Sequence, residues 1–262
     1  LLVGRRREIV QDQTRRLARL RDLLSSLFPA LERRIDVTTK TGLAFLSLYA
    51  APHDLRAARA ASVAKKVMRT APHLRGVPQL TEDAIALAKA QTLDVPGAAT
   101  RARLVRELAA EALAARDASA RVDRDIADLL SAHPDAALIQ SLPGMGVVLT
   151  AELIANMGDI RRFRSADALA AASGLTPVLR QSGKSCAIRR ANSGDKALKR
   201  VFYQSAFVAL GHPESKAFYD RKRREGKRHN QAVIALARRR INVVWAMLTT
   251  RQPFTENFKS AA

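Results

Sequence analysis

The residues best suited to chemistry lie between 174 and 192, where the chain reads GLTPVLRQSGKSCAIRRAN. Ser182 stands beside Gly183 and between Arg180 and Lys184, a setting with the electrostatics of a phosphate site. A serine hydroxyl there can accept a phosphoryl group if a base removes its proton. On residue chemistry alone, a simple phosphate contact is the plainer reading. Arg180, Lys184, Arg189, Arg190, Lys196, Lys199 and Arg200 place seven cations within 21 residues, against the single acid Asp195.

A second constellation is SLPGMGVVLTAELI, residues 141–154. A short helix is expected to run into the turn and a second to begin at once behind it. Gly144 and Gly146 permit a tight turn whose backbone N–H groups can approach a phosphate at the second helix's N-terminus. This is the layout of a helix-hairpin-helix, which grips a nucleic-acid backbone without reading bases; a plain helical hairpin with a glycine turn has the same outline. A third constellation packs ten cations between 216 and 240, among them Arg223, Arg224, Lys227, Arg228 and the run Arg238-Arg239-Arg240. Phe218 and Tyr219 lie near its start. Neighbours on a helix point about 100° apart, so one is expected in the core and the other open to stack on a base.

Carboxylates offer less. Asp125 and Asp128, with Asp123 nearby, have a workable spacing, but Arg121 and Arg124 lie among them, and ion pairing on a solvated helix accounts for them better than a metal. No metal site is expected. The chain has one cysteine, Cys186, and five scattered histidines, which excludes a disulfide framework and cysteine-based zinc modules.

Composition agrees with a polyanionic partner. The 262 residues hold 45 Lys and Arg against 24 Asp and Glu, a formal +21. Residues 161–262 carry 22 cations and six acids, so +16 lies in the last two-fifths and only +5 in residues 1–160. A localised binding face produces that split; a uniform basic bias does not. No apolar run approaches the length of a membrane span, and the opening LLVGRRREIV is too short in apolar residues for a signal peptide.

The elements that must position these groups are read as helices. Residues 4–34 form one long amphipathic helix by the three- and four-residue steps of Ile9, Leu17, Leu20, Leu24, Leu27 and Leu31. Shorter helices follow near 43–51 and 54–69, then one capped by Thr81 that runs to about 93. Residues 100–132 lack Gly and Pro and make a helix of roughly 50 Å, an arm able to pair with the first helix as a coiled-coil hairpin. Beyond Pro134, helices are expected at 136–142, 147–157, 165–173, 194–210, 214–225 and 229–250. The expectation is an all-α protein: a helical linker or coiled-coil arm over 1–135, then a compact helical domain over 136–262 with a helix-hairpin-helix and one irregular basic loop.

The run SLPGMGVVLTAELIANMGDIRRFRSADALAAASGLTPVLRQSGKS, continued by FYDRKRREGKRHNQAVIALARRRINVVWAML, resembles the C-terminal domain of insertion-sequence family 110 transposases, to which the pilin-gene invertases are related. The likeness covers about 136–251, and FPALERR at 28–34 is similar to the helical linker of actinobacterial-type members. The resemblance implies a DNA recombinase in which a serine attacks DNA and forms a phosphoserine link. The family's serine falls on Ser182, with Ser185 the nearby competitor. It also implies DNA and a structured guide RNA as partners, self-association through the helical arm, and a cytoplasmic, nucleoid-associated location. In that family a RuvC-like domain with a DEDD carboxylate set binds divalent metal such as magnesium. No match to that domain is read here, so this chain is expected to hold no cofactor and to bind nucleic acid without cleaving it. The alternatives are a non-enzymatic helical nucleic-acid-binding protein and an inactive transposase remnant.

Overall fold

A computed structural model of the protein describes residues 1–255 apart from 72, 94, 177, 183, 184 and 190–192; for 178–182 and 185–189 it describes the backbone. The described chain is helical apart from one two-stranded ladder, in keeping with the all-α expectation. It divides into two compact units that part between Val122 and Asp123.

The first unit contains α1 (Leu2–Leu27), α2 (Pro29–Arg34), α3 (Lys40–Leu46), α4 (Pro52–Leu55), α5 (Ala60–Thr70), α6 (Val77–Ala90) and most of α7 (Ala98–Ser131). The single helix expected over 4–34 is two, because Pro29 excludes the helical region for the residue before it. Phe28 accordingly sits at φ −144°, ψ 69° and is fully buried. α6 begins a turn earlier than expected. Gly76 occupies the cap at φ 71° with Pro78 in the first turn, while Thr81 is buried inside the helix and its hydroxyl donates to Val77 O at 2.8 Å.

α1 and α7 lie side by side and antiparallel. Arg101 of α7 bonds Ser26 near the end of α1 (2.8 Å), and Glu111, further along α7, bonds Arg16, nearer the start of α1 (2.8 Å). The seam that α7 buries is Ala102, Val105, Ala109 and Ala112, stepping by three and four as a helix-packing stripe must. These residues are buried in the core of the first unit. Arg106 on Asp54 and Arg116 on Thr38 O hold the same helix along the unit, so its first half is packed rather than projecting.

The second unit holds α8 (Ala136–Gln140), α9 (Val147–Met157), α10 (Ala166–Ala172), strands β1 (Val178–Ser182) and β2 (Ser185–Arg189), α11 (Lys196–Val208), α12 (Pro213–Arg224) and α13 (His229–Thr250). α13 touches α8, α10, α11 and α12, and its Ala232, Val233, Leu236, Ala237, Ile241 and Val244 are buried. Phe202 of α11 is fully buried in the same core, with Leu153 and Met157 of α9 and Leu169 of α10. No described helix is long and apolar enough to cross a membrane.

Candidate nucleic-acid interface

The segment expected as an irregular loop contains an antiparallel hairpin. Val178 pairs with Arg189, Arg180 with Ala187, and Ser182 with Ser185. The alternation that supports it is short, VLRQS against SCAIR, and the surrounding Gly, Pro and Ser mask it to periodicity. The two candidate serines are therefore register partners at the hairpin tip. Lys184 and Arg190 lie outside the described residues, as do the side chains of Arg180, Ser182 and Arg189.

The root of the hairpin is built on glycine. Gly174 (φ +63°) and Gly194 (φ +99°) face each other: a Cβ on Gly174 would lie 2.5 Å from Ser193 O, and one on Gly194 would lie 2.5 Å from Gly174 N. Both are left-handed backbones that L side chains adopt with strain. Asp195 N bonds Ala172 O at 2.6 Å, and the Asp195 carboxylate caps α11 by accepting from Ala197 N (2.6 Å) and Leu198 N (3.1 Å). Sequence reading missed Gly194 and Asp195 as the hairpin's anchor. The Asp195-x-x-Leu198 capping pattern is the signal that could have marked the start of α11.

The PGMG turn is a tight helical hairpin between α8 and α9, but its glycines play separate roles. Gly144 (φ +82°) is pressed on α11, where a Cβ would meet Ser205 O at 2.6 Å and Ala209 N at 3.1 Å. It serves packing against α11. Gly146 has open space where its Cβ would be and caps α9 without a side-chain bond. Behind the turn, the buried guanidinium of Arg240 donates through Nε to Ser205 Oγ at 3.0 Å and through Nη2 to Pro143 O. Burial pushes its pKa down to about 10.

The run 238–240 thus splits three ways. Arg238 bonds Asp167 and Asn242, Arg239 lies over the Phe218 ring at 5.2 Å, and Arg240 is interior. Arg221 (5.1 Å) and Lys222 (5.6 Å) lie over the same ring. Tyr219 hydroxyl is 2.8 Å from His229 Nδ1, and its ring lies under Lys216 Nζ at 5.7 Å. Both aromatic residues are half-buried and engaged, so neither is the open stacking ring expected of the pair. Arg223, Arg224 and Arg228 are exposed, with Arg223 donating to Lys227 O at 2.9 Å. The Lys222 hydrogen bond, then the Lys222, Arg221 and Lys227 charges, hold the Glu225 carboxyl below its usual range.

Residues 136–220 match the family model described as Transposase IS116/IS110/IS902 family. That stretch, about a third of the chain, is thus similar to a domain of the IS116/IS110/IS902 transposases. It is similar to the IS900 uncharacterized 42 kDa protein of Mycobacterium paratuberculosis, 40% identical over 252 residues, covering 95% of this chain and 63% of that protein. It is 36% identical over 258 residues to the IS116 uncharacterized 44.8 kDa protein of Streptomyces clavuligerus, covering 97% of this chain and 64% of that one. A pilin gene-inverting protein of Moraxella bovis is 30% identical over 148 residues, 53% of this chain and 45% of its own length. The chain thus spans a little under two thirds of the length of the first two relatives.

The matched transposase domain covers the PGMG turn, the hairpin with both serines, α11 and most of α12. Within it Arg200, expected on nucleic acid, bonds the buried Glu152 of α9 at 2.8 Å and ties two helices together. Lys199 is half-buried on the same helix. Among the described residues no three His, Cys, Asp or Glu come together to hold a metal. The donors among the described residues do not fit the divalent ion that the resemblance implies.

Proposed function

We propose that this chain is the nucleic-acid-handling portion of a DNA transposase, with Ser182 as its strand-cleaving nucleophile. The observation that carries the reading is the family match over 136–220, which takes in the Ser182–Ser185 hairpin and leads straight into the exposed cations of α12. Arg223, Arg224 and Arg228 neutralise phosphates, and the PGMG turn adds a sequence-independent backbone contact through the open N-terminus of α9. A structured guide RNA and self-association through residues 1–135 belong to the same reading.

In the chemical step the Ser182 hydroxyl oxygen attacks a phosphodiester phosphorus. A P–Oγ ester forms, one P–O bond to deoxyribose breaks, and the released sugar oxygen takes up a proton while the serine proton passes to a base. Neighbouring cations stabilise the extra negative charge on the phosphoryl oxygens.

The test uses the protein expressed from its full reading frame and incubated with supercoiled DNA. Covalent adducts are digested with nuclease and mapped by mass spectrometry. A nucleotide on the Ser182 peptide, lost in Ser182→Ala and kept in Ser185→Ala, is the expected result. The opposite pattern moves the role to Ser185. No adduct on either serine, with binding intact, leaves a non-enzymatic binder.

A further inference from the structure

Among the described residues of the second unit, the Phe or Tyr most exposed is neither Phe218 nor Tyr219. It is Phe207, 52% exposed near the end of α11, with Val208 beside it at 61%. The His229 ring stands edge-on to Phe207, centroids 6.1 Å apart and planes at 90°. His229 is itself fixed by Tyr219, through the 2.8 Å contact to its Nδ1 and a ring approach of 5.7 Å. One turn back on the same face of α11, Tyr203 donates to Asn230 Oδ1 at 3.1 Å, which ties this face to the first turn of α13. Phe207 therefore projects from a braced aromatic cluster and not from a loose side chain.

We propose that the exposed ring of Phe207, with His229 beside it, is a stacking platform for an unpaired nucleobase of a single-stranded segment. This rests on the nucleic-acid reading above and deepens it. A large apolar ring costs free energy in water and gains by covering its face, and two kinds of occupant could do so. The surrounding charge favours a nucleobase over an apolar protein surface. Lys216, over the Tyr219 ring, is already paired with Asp220 at 2.6 Å, but exposed Arg228 directly precedes His229, and exposed Lys196 begins the helix that carries Phe207. A polyanion satisfies these cations, whereas an apolar partner would have to desolvate them. From residue 196 to 207 α11 spans roughly 16 Å, and it starts just after the serine hairpin. A strand held at the hairpin can follow α11 to the platform. Unpairing suits that position, because bases must leave the duplex for their faces to reach a ring.

The 262-residue chain is titrated with a short single strand carrying 2-aminopurine, and with its duplex. The expected result is quenching on single-strand binding and, in Phe207→Ala, loss of quenching with affinity about tenfold weaker. Phe207→Trp restores both, and duplex affinity is unchanged throughout. Equal weakening of single strand and duplex overturns the platform, as does full single-strand affinity in Phe207→Leu. Self-association that disappears in Phe207→Ala while single-strand binding persists overturns it in favour of a protein partner. If wild-type protein binds no nucleic acid, the wider functional reading fails with it; binding that ignores Phe207 removes the platform alone.

Discussion

At the residue scale, the arginines divide by what they touch and not by where they cluster. Arg240 is 4% exposed and spends its charge on a serine hydroxyl and a backbone carbonyl, joining the PGMG turn to α11 and α13. Arg240→Ala strands the Pro143 carbonyl and opens a cavity, and should lower stability by about 2–4 kcal/mol; Arg240→Met, which keeps the apolar stem, should cost less. Chemical denaturation measures both. Holding this cation charged also opposes folding. Burial lowers its pKa to about 10, so the opposing contribution is full below about pH 10 and is relieved as the pH rises from there toward the ordinary guanidinium value. A count of cations in sequence could not separate Arg240 from Arg239, because one residue of rotation on α13 moves a side chain from interior to solvent. The pairing of Arg200 was illegible for a related reason: its partner Glu152 lies 48 residues away, and a single sequence does not reveal long-range pairs.

At the element scale, most helices were legible. The expected 147–157 and 229–250 match α9 and α13, and 100–132 falls within a residue or two of α7, because long apolar periodicity survives local exceptions. Misses came where backbone chemistry outranked periodicity, at Pro29 in the first helix and Pro78 in α6. The hairpin was illegible because five-residue strands give too few alternations and its anchoring is a contact between two glycines. That anchoring makes a prediction. Gly194→Ala forces a Cβ to 2.5 Å from Gly174 N at φ +99° and should cost about 2 kcal/mol or more. Gly211→Ala, with open space at its Cβ, should stay within about 0.5 kcal/mol. Denaturation midpoints distinguish the two, and hydrogen exchange should show weakened protection in β1 and β2 in the first variant alone.

At the scale of the whole molecule, the charge asymmetry was legible from sequence, +16 of +21 falling after residue 160, and the structure shows which of the described cations are exposed. Arg223, Arg224 and Arg228 are exposed, whereas Arg240 is interior and Arg200 is bonded to Glu152. Replacing those three exposed arginines with alanine should flatten the plot of log affinity against log salt by about 2–3 in slope, roughly one counterion for each phosphate that is no longer neutralised. Fluorescence anisotropy across a salt series reads this directly, and an unchanged slope would move the phosphate track elsewhere. The glycine contact at 174 and 194 has one more consequence. It closes the chain on itself, so residues 175–193 form a loop whose ends are already joined. Lengthening such a loop is cheap, about 0.6 kcal/mol for each doubling. The reach of the serines is thus an independent variable: residues added within the strands would carry them further out while α10 and α11 stay where they are.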